Sequence, residues 1–395
     1  MSNYPLLHLL PHQDKHVRNG RPWVYANELR LTGDAKLIPK GSVVSVAASD
    51  GRPIGIGTFN LHSLIAVRLF DRNPDAVLDE YWFARKLKYA AELRARFFAG
   101  PFYRLIHAEG DGLPGFAIDR YGDVFVVQSN TAGADTLTQA LLAALETSFK
   151  PRAVVLRNDA SVRKLEQVPE EVRVAAGDLA GGVFVEEGGC RFPIDPLEGQ
   201  KTGWFFDLQP ARALIASMAK DQRVLDMYCH TGAFSVTAAK AGAKAVHGID
   251  ASKPAIAQAQ RAAADNGLGK ICSFEAGEAF EALHKIRDSG ARYDIVICDP
   301  PSFVKSKREL SAGARGYRKL VRLAAPVIKA GGFLFVASCS HHMSLELFAE
   351  EVAAGLSQAH RAARIIHAGG AGPDHPVHPH LPESAYLKWQ VLQVD

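Results

Sequence analysis

Two short stretches carry residue types that could do chemistry. One is Ile297-Cys298-Asp299-Pro300-Pro301-Ser302-Phe303, an apolar run that ends in an acid and two prolines. The other is Ala337-Ser338-Cys339-Ser340-His341-His342, an apolar run that ends in a thiol. Strand side chains alternate, so Cys298 and Asp299 point to opposite faces. Each proline fixes φ and removes an N–H donor, which stiffens the chain after Asp299. A stiff loop with an acid and backbone carbonyls can grip a flat base by its amino group, with Asp299, Pro300, Pro301, Ser302 and Phe303 as its candidate residues. Cys339, at the same edge of the next strand, is a candidate nucleophile. A thiolate that adds to C6 of a pyrimidine makes C5 carbanion-like, so that C5 can attack a sulfonium methyl. A base then removes the C5 proton and the thiol leaves. Asp299 would hydrogen-bond N3 and N4 and favour the protonated ring. A lone strand cysteine is ordinarily an inert, buried thiol; its pairing with Asp299 on the neighbouring strand favours the nucleophile.

Such chemistry needs a methyl donor, and Val224–Asp250 offers a place for one. An apolar run ends on Asp226, a turn follows with Thr231 and Gly232, and an Ala-rich segment with helical spacing (Phe234, Val236, Ala238, Ala239) stops at Gly242. A second apolar run ends on Asp250. Parallel pairing of two such strands requires the crossover helix between them. Ligands of open parallel sheets sit at the carboxyl ends of the strands. Two acids there suit hydroxyls or positive charge, with Asp250 placed for ribose hydroxyls, and do not suit a pyrophosphate. The turn holds one glycine where the dinucleotide fingerprint needs three, which disfavours NAD and FAD and favours S-adenosylmethionine.

The remaining elements must position these residues. Along 395 residues, two or three domains are expected. Hydrophobic content of 47%, charged content of 22% and a net charge of +4 are those of a soluble protein that permits, without demanding, a nucleic-acid partner. No membrane-spanning run or secretory signal is evident, and five scattered cysteines lack zinc or disulfide spacing, so a cytoplasmic protein with reduced thiols is expected.

Residues 1–75 read as a small β-rich domain with recurring basic residues and Trp23 and Tyr25 after Arg21-Pro22. Basic side chains beside aromatics can hold phosphates and stack bases, although on these residues alone a solvated surface with a buried Trp is the better explanation. Residues 76–194 read as an α+β domain. In it, a helix over 79–98 carries Tyr81, Phe83, Leu87 and Ala91 inward and Arg85, Lys86, Lys88, Arg94 and Arg96 outward, and a hairpin turns at Gly188-Gly189. Residues 195–395 read as a doubly wound α/β domain whose last two strands have no helix between them, which leaves room for an antiparallel final strand.

Ser302–Arg322 holds seven basic residues, Lys305 and Arg315 among them, and one acid. A segment so charged beside a base pocket could position phosphates; Gly313 and Gly316 would leave it mobile, as suits a substrate-ordered lid. His375, His378 and His380 are interrupted by prolines with no cysteine nearby, which disfavours a metal. His375 fits better on the substrate side of the sheet edge.

With these residues assembled, the chain resembles bacterial large-subunit ribosomal RNA cytosine-C5 methyltransferases with an N-terminal PUA domain, over nearly its full length. The motifs are Arg21-Pro22-Trp23-Val24-Tyr25, Glu109 to Gly115, Ile118 to Gly122, Gln200-Lys201-Thr202-Gly203 with Asp207, Tyr228 with Thr231-Gly232-Ala233-Phe234, Asp250, Asp299-Pro300-Pro301-Ser302-Phe303, Ser338-Cys339-Ser340 and Asp374-His375-Pro376. The Ser-Cys-Ser strand end, together with the three-domain order, is the more specific part. The resemblance implies a Rossmann-like methyltransferase sheet and S-adenosylmethionine around Tyr228, Thr231, Gly232, Asp250 and Asp299, with Lys201, Thr202 and Asp207 at the entrance. It also implies an adenine contact from an acid within Glu275–Glu278, of which Glu278 is our choice. Ribosomal RNA is the implied partner, no membrane is, and a homodimer is left open. Two-cysteine relatives place a helper cysteine where this chain has Ser302, and the arginine expected soon after Asp207 is here no nearer than Arg212. Two rivals stand beside C5 methylation: amino-group methylation of guanine or adenine in RNA, which needs no cysteine, and a non-catalytic RNA-binding protein. A nicotinamide-dependent oxidoreductase ranks last.

Overall fold

The computed structural model describes residues 4–199, 202–304 and 306–395. Its first strands, β1 (Leu6–His8), β2 (Trp23–Tyr25), β3 (Val43–Ala47), β4 (Pro53–Phe59) and β5 (Ile65–Asp71), form one sheet in the order β1-β3-β4-β5-β2, with a short helix α1 (Lys15–Arg18) between β1 and β2. A second sheet has the order β10-β9-β8-β7-β6, built from β6 (Phe102–His107), β7 (Phe116–Tyr121), β8 (Val124–Ser129), β9 (Ala153–Asn158) and β10 (Glu171–Gly177). It carries the helices α2 (Glu80–Arg94), α3 (Ala132–Phe149) and α4 (Val162–Leu165). The chain then makes the hairpin β11 (Val183–Glu187) and β12 (Cys190–Ile194), whose turn residues Gly188 and Gly189 both have positive φ, as a tight two-residue turn requires.

The contact pattern gathers residues 1–185, 194–206 and 373–382 into one unit and 186–193, 207–372 and 383–395 into another. The boundary near residue 75 falls inside the first unit because the two sheets share apolar packing there. Ile56 and Phe70 join the cluster of Trp82, Phe83 and Phe116, and Phe70 lies 6.0 Å from the Trp82 ring. Asp79 caps α2 by accepting from the Trp82 N–H. Two of that helix's residues differ from the sequence reading. Tyr81 is 77% exposed, whereas Arg94 is fully buried in a bidentate pair with Asp111. Long cations are buried where such a partner exists, which periodicity alone does not reveal.

The second unit is organised around a seven-stranded sheet of β13 (Arg223–Met227), β14 (Ala245–Asp250), β15 (Cys272–Ala276), β16 (Tyr293–Cys298), β17 (Ile328–Ser338), β18 (Ala363–Gly369) and β19 (Lys388–Val394). Their order is β15-β14-β13-β16-β17-β19-β18, with the first five parallel and β19 antiparallel to both of its neighbours. Strands covered on both faces read as continuous apolar runs, and Ile295–Cys298 and Leu334–Ala337 are accordingly all fully buried. The order reverses between β13 and β16, which opens the crevice at their carboxyl ends. Helices α5 (Gln209–Met218), α6 (Ala233–Lys240), α7 (Lys253–Asp265), α8 (Ala279–Asp288), α9 (Leu310–Ala324) and α10 (Leu345–Gln358) connect and flank the strands. Ser252 caps α7 through the Ala255 N–H, and Gly267 ends it at φ +73°.

Helix α9 begins at Leu310 and takes in both Gly313 and Gly316, so these glycines do not form a mobile lid. A Cβ on Gly313 would lie 2.3 Å from the Phe303 carbonyl oxygen, and one on Gly316 would lie 2.8 Å from the Phe303 ring. They are the places where the loop after Pro301 rests directly on the helix backbone.

Candidate functional site

Register places the acids. Asp226 pairs with Ile297 and with Gly248, and Ile297 pairs with Phe335. Paired residues point the same way, and alternation carries that face to Asp250, Asp299 and Ala337, and on to Cys339 one residue beyond β17. The other face takes Met227, Cys298 and Val336 into the apolar cluster beneath α8, α9 and α10. Cys298 and Asp299 thus diverge: Cys298 is fully buried, while Asp299 and Cys339 are each partly exposed at the carboxyl edge.

Asp226 is buried. Its Oδ2 accepts from the Ser235 N–H (3.1 Å) and hydroxyl (2.7 Å), while Oδ1 has no hydrogen-bond partner among the described residues. Burial, with the charges of Asp299 and Asp250 acting in the same direction against the Ser235 bonds, raises its pKa to about 7. Asp250 accepts from the His230 N–H (3.0 Å) and the Ser252 N–H (2.8 Å), one at each oxygen, and a carboxylate oxygen can take a second donor.

Between β13 and α6 the chain turns with positive φ at Tyr228 (63°), His230 (48°) and Gly232 (81°). A loop of the kind usually built from glycines is here held by side chains, at a cost of about 1–3 kcal/mol for each non-glycine. At Gly232 a Cβ would come within 3.0 Å of Ala259, so that position also needs the missing side chain. Tyr228 packs on the cluster below the sheet, and burial, followed by the charges of Cys298, Glu278 and Asp250, drives its pKa up. Glu278 immediately precedes α8 and is exposed; Glu275 instead lies 3.6 Å from His247. Phe234 is buried against Phe335, with ring centroids 5.1 Å apart, and Thr231 is partly exposed. His230 is a position that sequence reasoning passed over, because nothing in the residue type signals left-handed backbone.

The loop after Asp299 and the turn after Cys339 are joined. Ser302 Oγ donates to the Val304 carbonyl (3.0 Å) and shares a hydrogen bond with Ser340 Oγ (2.8 Å). Ser340 Oγ reaches the Tyr317 hydroxyl (3.1 Å), which also accepts from Ser338 Oγ (2.8 Å). Pro300 is buried and Pro301 exposed. The Phe303 ring is partly exposed and packs on Tyr317 with centroids 4.8 Å apart. Arg315 is exposed and donates to Ser311 Oγ.

Asp207 accepts from the Tyr386 hydroxyl. Arg212 is buried in a bidentate pair with Glu187 and lies over the Phe234 ring, so it is already engaged. Thr202 and His375 belong to the first unit. Thr202 is buried, with its hydroxyl on Asp119; His375 is buried, with Nδ1 2.8 Å from Asp374 and its ring 4.8 Å from that of His107. In the same unit Arg21 pairs with Glu28, and Arg68 pairs with Glu109 while lying over Trp23. Lys201 and Lys305 lie outside the described residues. Among the described residues no group of three or more His, Cys, Asp or Glu could hold a metal ion, and no helix is long and apolar enough to cross a membrane.

Three carboxylates at adjoining strand ends, one with an orphaned buried oxygen, fit a cationic, hydroxyl-bearing donor and not a pyrophosphate. A family model for S-adenosylmethionine-dependent methyltransferases matches residues 139–381, and a PUA-like domain model matches 7–72. The chain belongs to the S-adenosylmethionine-dependent methyltransferases, with a PUA-like domain at its amino-terminal end and S-adenosylmethionine as cofactor. It is 35% identical over 398 residues to the "Ribosomal RNA large subunit methyltransferase I" of Pseudoalteromonas atlantica, covering 100% of both chains. Two solved structures share the fold. A candidate SAM-dependent methyltransferase from Streptococcus mutans is 20% identical, with a TM-score of 0.81, covering 98% of this chain and 100% of its own. SMU.776, a candidate methyltransferase crystallised with SAH, is 21% identical with a TM-score of 0.83 and the same coverage.

Proposed function

We propose that this protein methylates C5 of a cytidine in large-subunit ribosomal RNA through a covalent adduct with Cys339. The name of the Pseudoalteromonas relative supports the RNA. One observation carries the chemistry: a partly exposed thiol follows β17 on the face and at the edge where Asp299 follows β16. When bound, S-adenosylmethionine supplies an electrophilic methyl. The Cys339 sulfur adds to C6 of the flipped-out ring, and the C5 carbon becomes nucleophilic and takes the methyl. Loss of the C5 proton to a base then expels the thiolate and restores the aromatic ring. The Asp299 carboxylate accepts from N4–H and from protonated N3, which draws electrons from C6.

In this reading Asp226, Tyr228, Thr231, Gly232, Phe234, Asp250, Glu278, Asp299 and Pro300 form or support the donor site, with Lys201, Thr202 and Asp207 at its entrance. Pro301, Ser302, Phe303, Lys305, Arg315 and His375 serve the RNA side. Residues 1–75, 76–194 and 195–395 serve as an RNA-binding, a central and a catalytic domain.

The test is incubation with labelled S-adenosylmethionine and ribosomal RNA, followed by nucleoside analysis. We expect 5-methylcytidine, and none from Cys339→Ala. Undiminished methylation by that variant, with the label on an exocyclic amine, would establish the amino-group reading. Absence of S-adenosylmethionine binding in calorimetry would leave a non-catalytic RNA-binding protein.

A further inference from the structure

We propose that Lys388 is a positioning residue for Cys339: its ammonium clamps the turn that carries the thiol, and its charge favours the thiolate. The inference rests on the reading of Cys339 as nucleophile. Lysine is seldom buried without a reason, yet Lys388 is only 7% exposed. It opens β19 directly opposite Ser338, the last residue of β17. Its Nζ donates to the Ser340 carbonyl (2.7 Å) and to the Met343 carbonyl (2.5 Å). The Ser340 carbonyl also accepts from the Met343 N–H (3.2 Å), so one ammonium ties both ends of a tight turn that starts right after Cys339.

Two neutral carbonyls do not balance a buried charge. Burial pushes the Lys388 pKa down, and the negative charge of Cys339 pushes it back up. That interaction is mutual: whatever a thiolate does to stabilise the ammonium, the ammonium does to stabilise the thiolate. Neither Tyr317 nor Asp299 supplies this. Tyr317 on α9 has its pKa raised, first by burial and also by Cys339, and stays neutral at physiological pH. Asp299, on the neighbouring strand end, opposes a second negative charge. His341 lies in the turn itself, its ring 5.2 Å from that of Tyr386.

The experiment is alkylation of the intact protein by iodoacetamide from about pH 6 to about pH 10, with each cysteine peptide resolved by mass spectrometry. It reads Cys339 without RNA and without turnover. Lys388→Met is expected to move the Cys339 profile to higher pH and slow alkylation at neutral pH by about tenfold. Lys388→Arg is expected to restore most of the wild-type profile. Lys388→Gln keeps a donor for the carbonyls without the charge and carries the same expectation should the Met variant fail to fold. A folded Met or Gln variant, judged by circular dichroism and S-adenosylmethionine binding, whose profile superimposes on wild type would overturn the proposal. A shifted profile together with an active Cys339→Ala enzyme would instead sink the covalent mechanism and leave the Lys388–Cys339 link standing.

Discussion

Asp226 shows how burial makes a single carboxyl sensitive to pH. Its pKa of about 7 lies above the ordinary carboxylate value, so folding takes up a proton there. The associated stabilisation is complete below about pH 4 and is lost as pH rises through about 7. In the donor site we propose, a cationic ligand beside Asp226 would reverse the preference. S-adenosylmethionine binding near pH 6.5 is therefore expected to release a proton, seen in calorimetry as a binding enthalpy that changes with the ionisation enthalpy of the buffer. Asp226→Asn is expected to remove the buffer dependence; an unchanged dependence in that variant would assign the proton elsewhere. Asp226, Asp250, Asp299 and Cys339 were legible in the sequence because each ends an apolar run and strand alternation does the rest. Tyr228 and His230 as left-handed residues were not, since their backbone is imposed by the loop's surroundings and not by their own preference.

At the scale of elements, α9 and the loop after Asp299 act together. Gly→Ala in a helix interior ordinarily gains up to about 1 kcal/mol. At Gly313 the added methyl would meet a carbonyl oxygen that belongs to the loop backbone, and overpacking of that kind costs about 1–3 kcal/mol. We expect Gly313→Ala to lower the melting temperature and to reduce kcat more than S-adenosylmethionine affinity, because the displaced segment carries Ser302 and leads back to Asp299. A variant with wild-type melting and kcat would mean that the loop yields freely. The helical course of α9 through Gly313 and Gly316 was not foreseen. Glycines suggest flexibility to a reader of sequence, and close backbone approach becomes visible only when the opposing segment is in place. The apolar runs that lead to Asp226, Asp250, Asp299 and Cys339 all proved to be strands, because a parallel sheet covered on both faces leaves long apolar runs. β17 also extends back through Ile328–Gly332, where Lys329 and two glycines leave no apolar run to signal it.

For the molecule as a whole, the second unit takes in Glu186–Pro193 from far upstream of its sheet. The Glu187–Arg212 pair fixes that segment to α5 in a buried setting. Removing one partner of such a pair strands the other charge and typically costs about 3–5 kcal/mol. Arg212→Ala is therefore expected to destabilise the second unit by an amount of that order in urea unfolding, with Arg212→Ala/Glu187→Ala less impaired than the single variant. Equal losses in both would show that the pair carries no such charge penalty. Sequence reading noted Arg212 only as the nearest arginine after Asp207, since a lone arginine gives no sign of a partner 25 positions earlier.

The placement of β19 has a consequence for biosynthesis. β18 leaves the ribosome before β19, yet in the finished sheet β19 is the strand beside it and separates it from β17. Until β19 arrives, β17 presents a bare edge, and the clamp on the Cys339 turn is missing. A nascent chain halted before Lys388 would thus leave one edge of β17 unpaired and the turn after Cys339 untied, so both are completed only when β19 closes that gap.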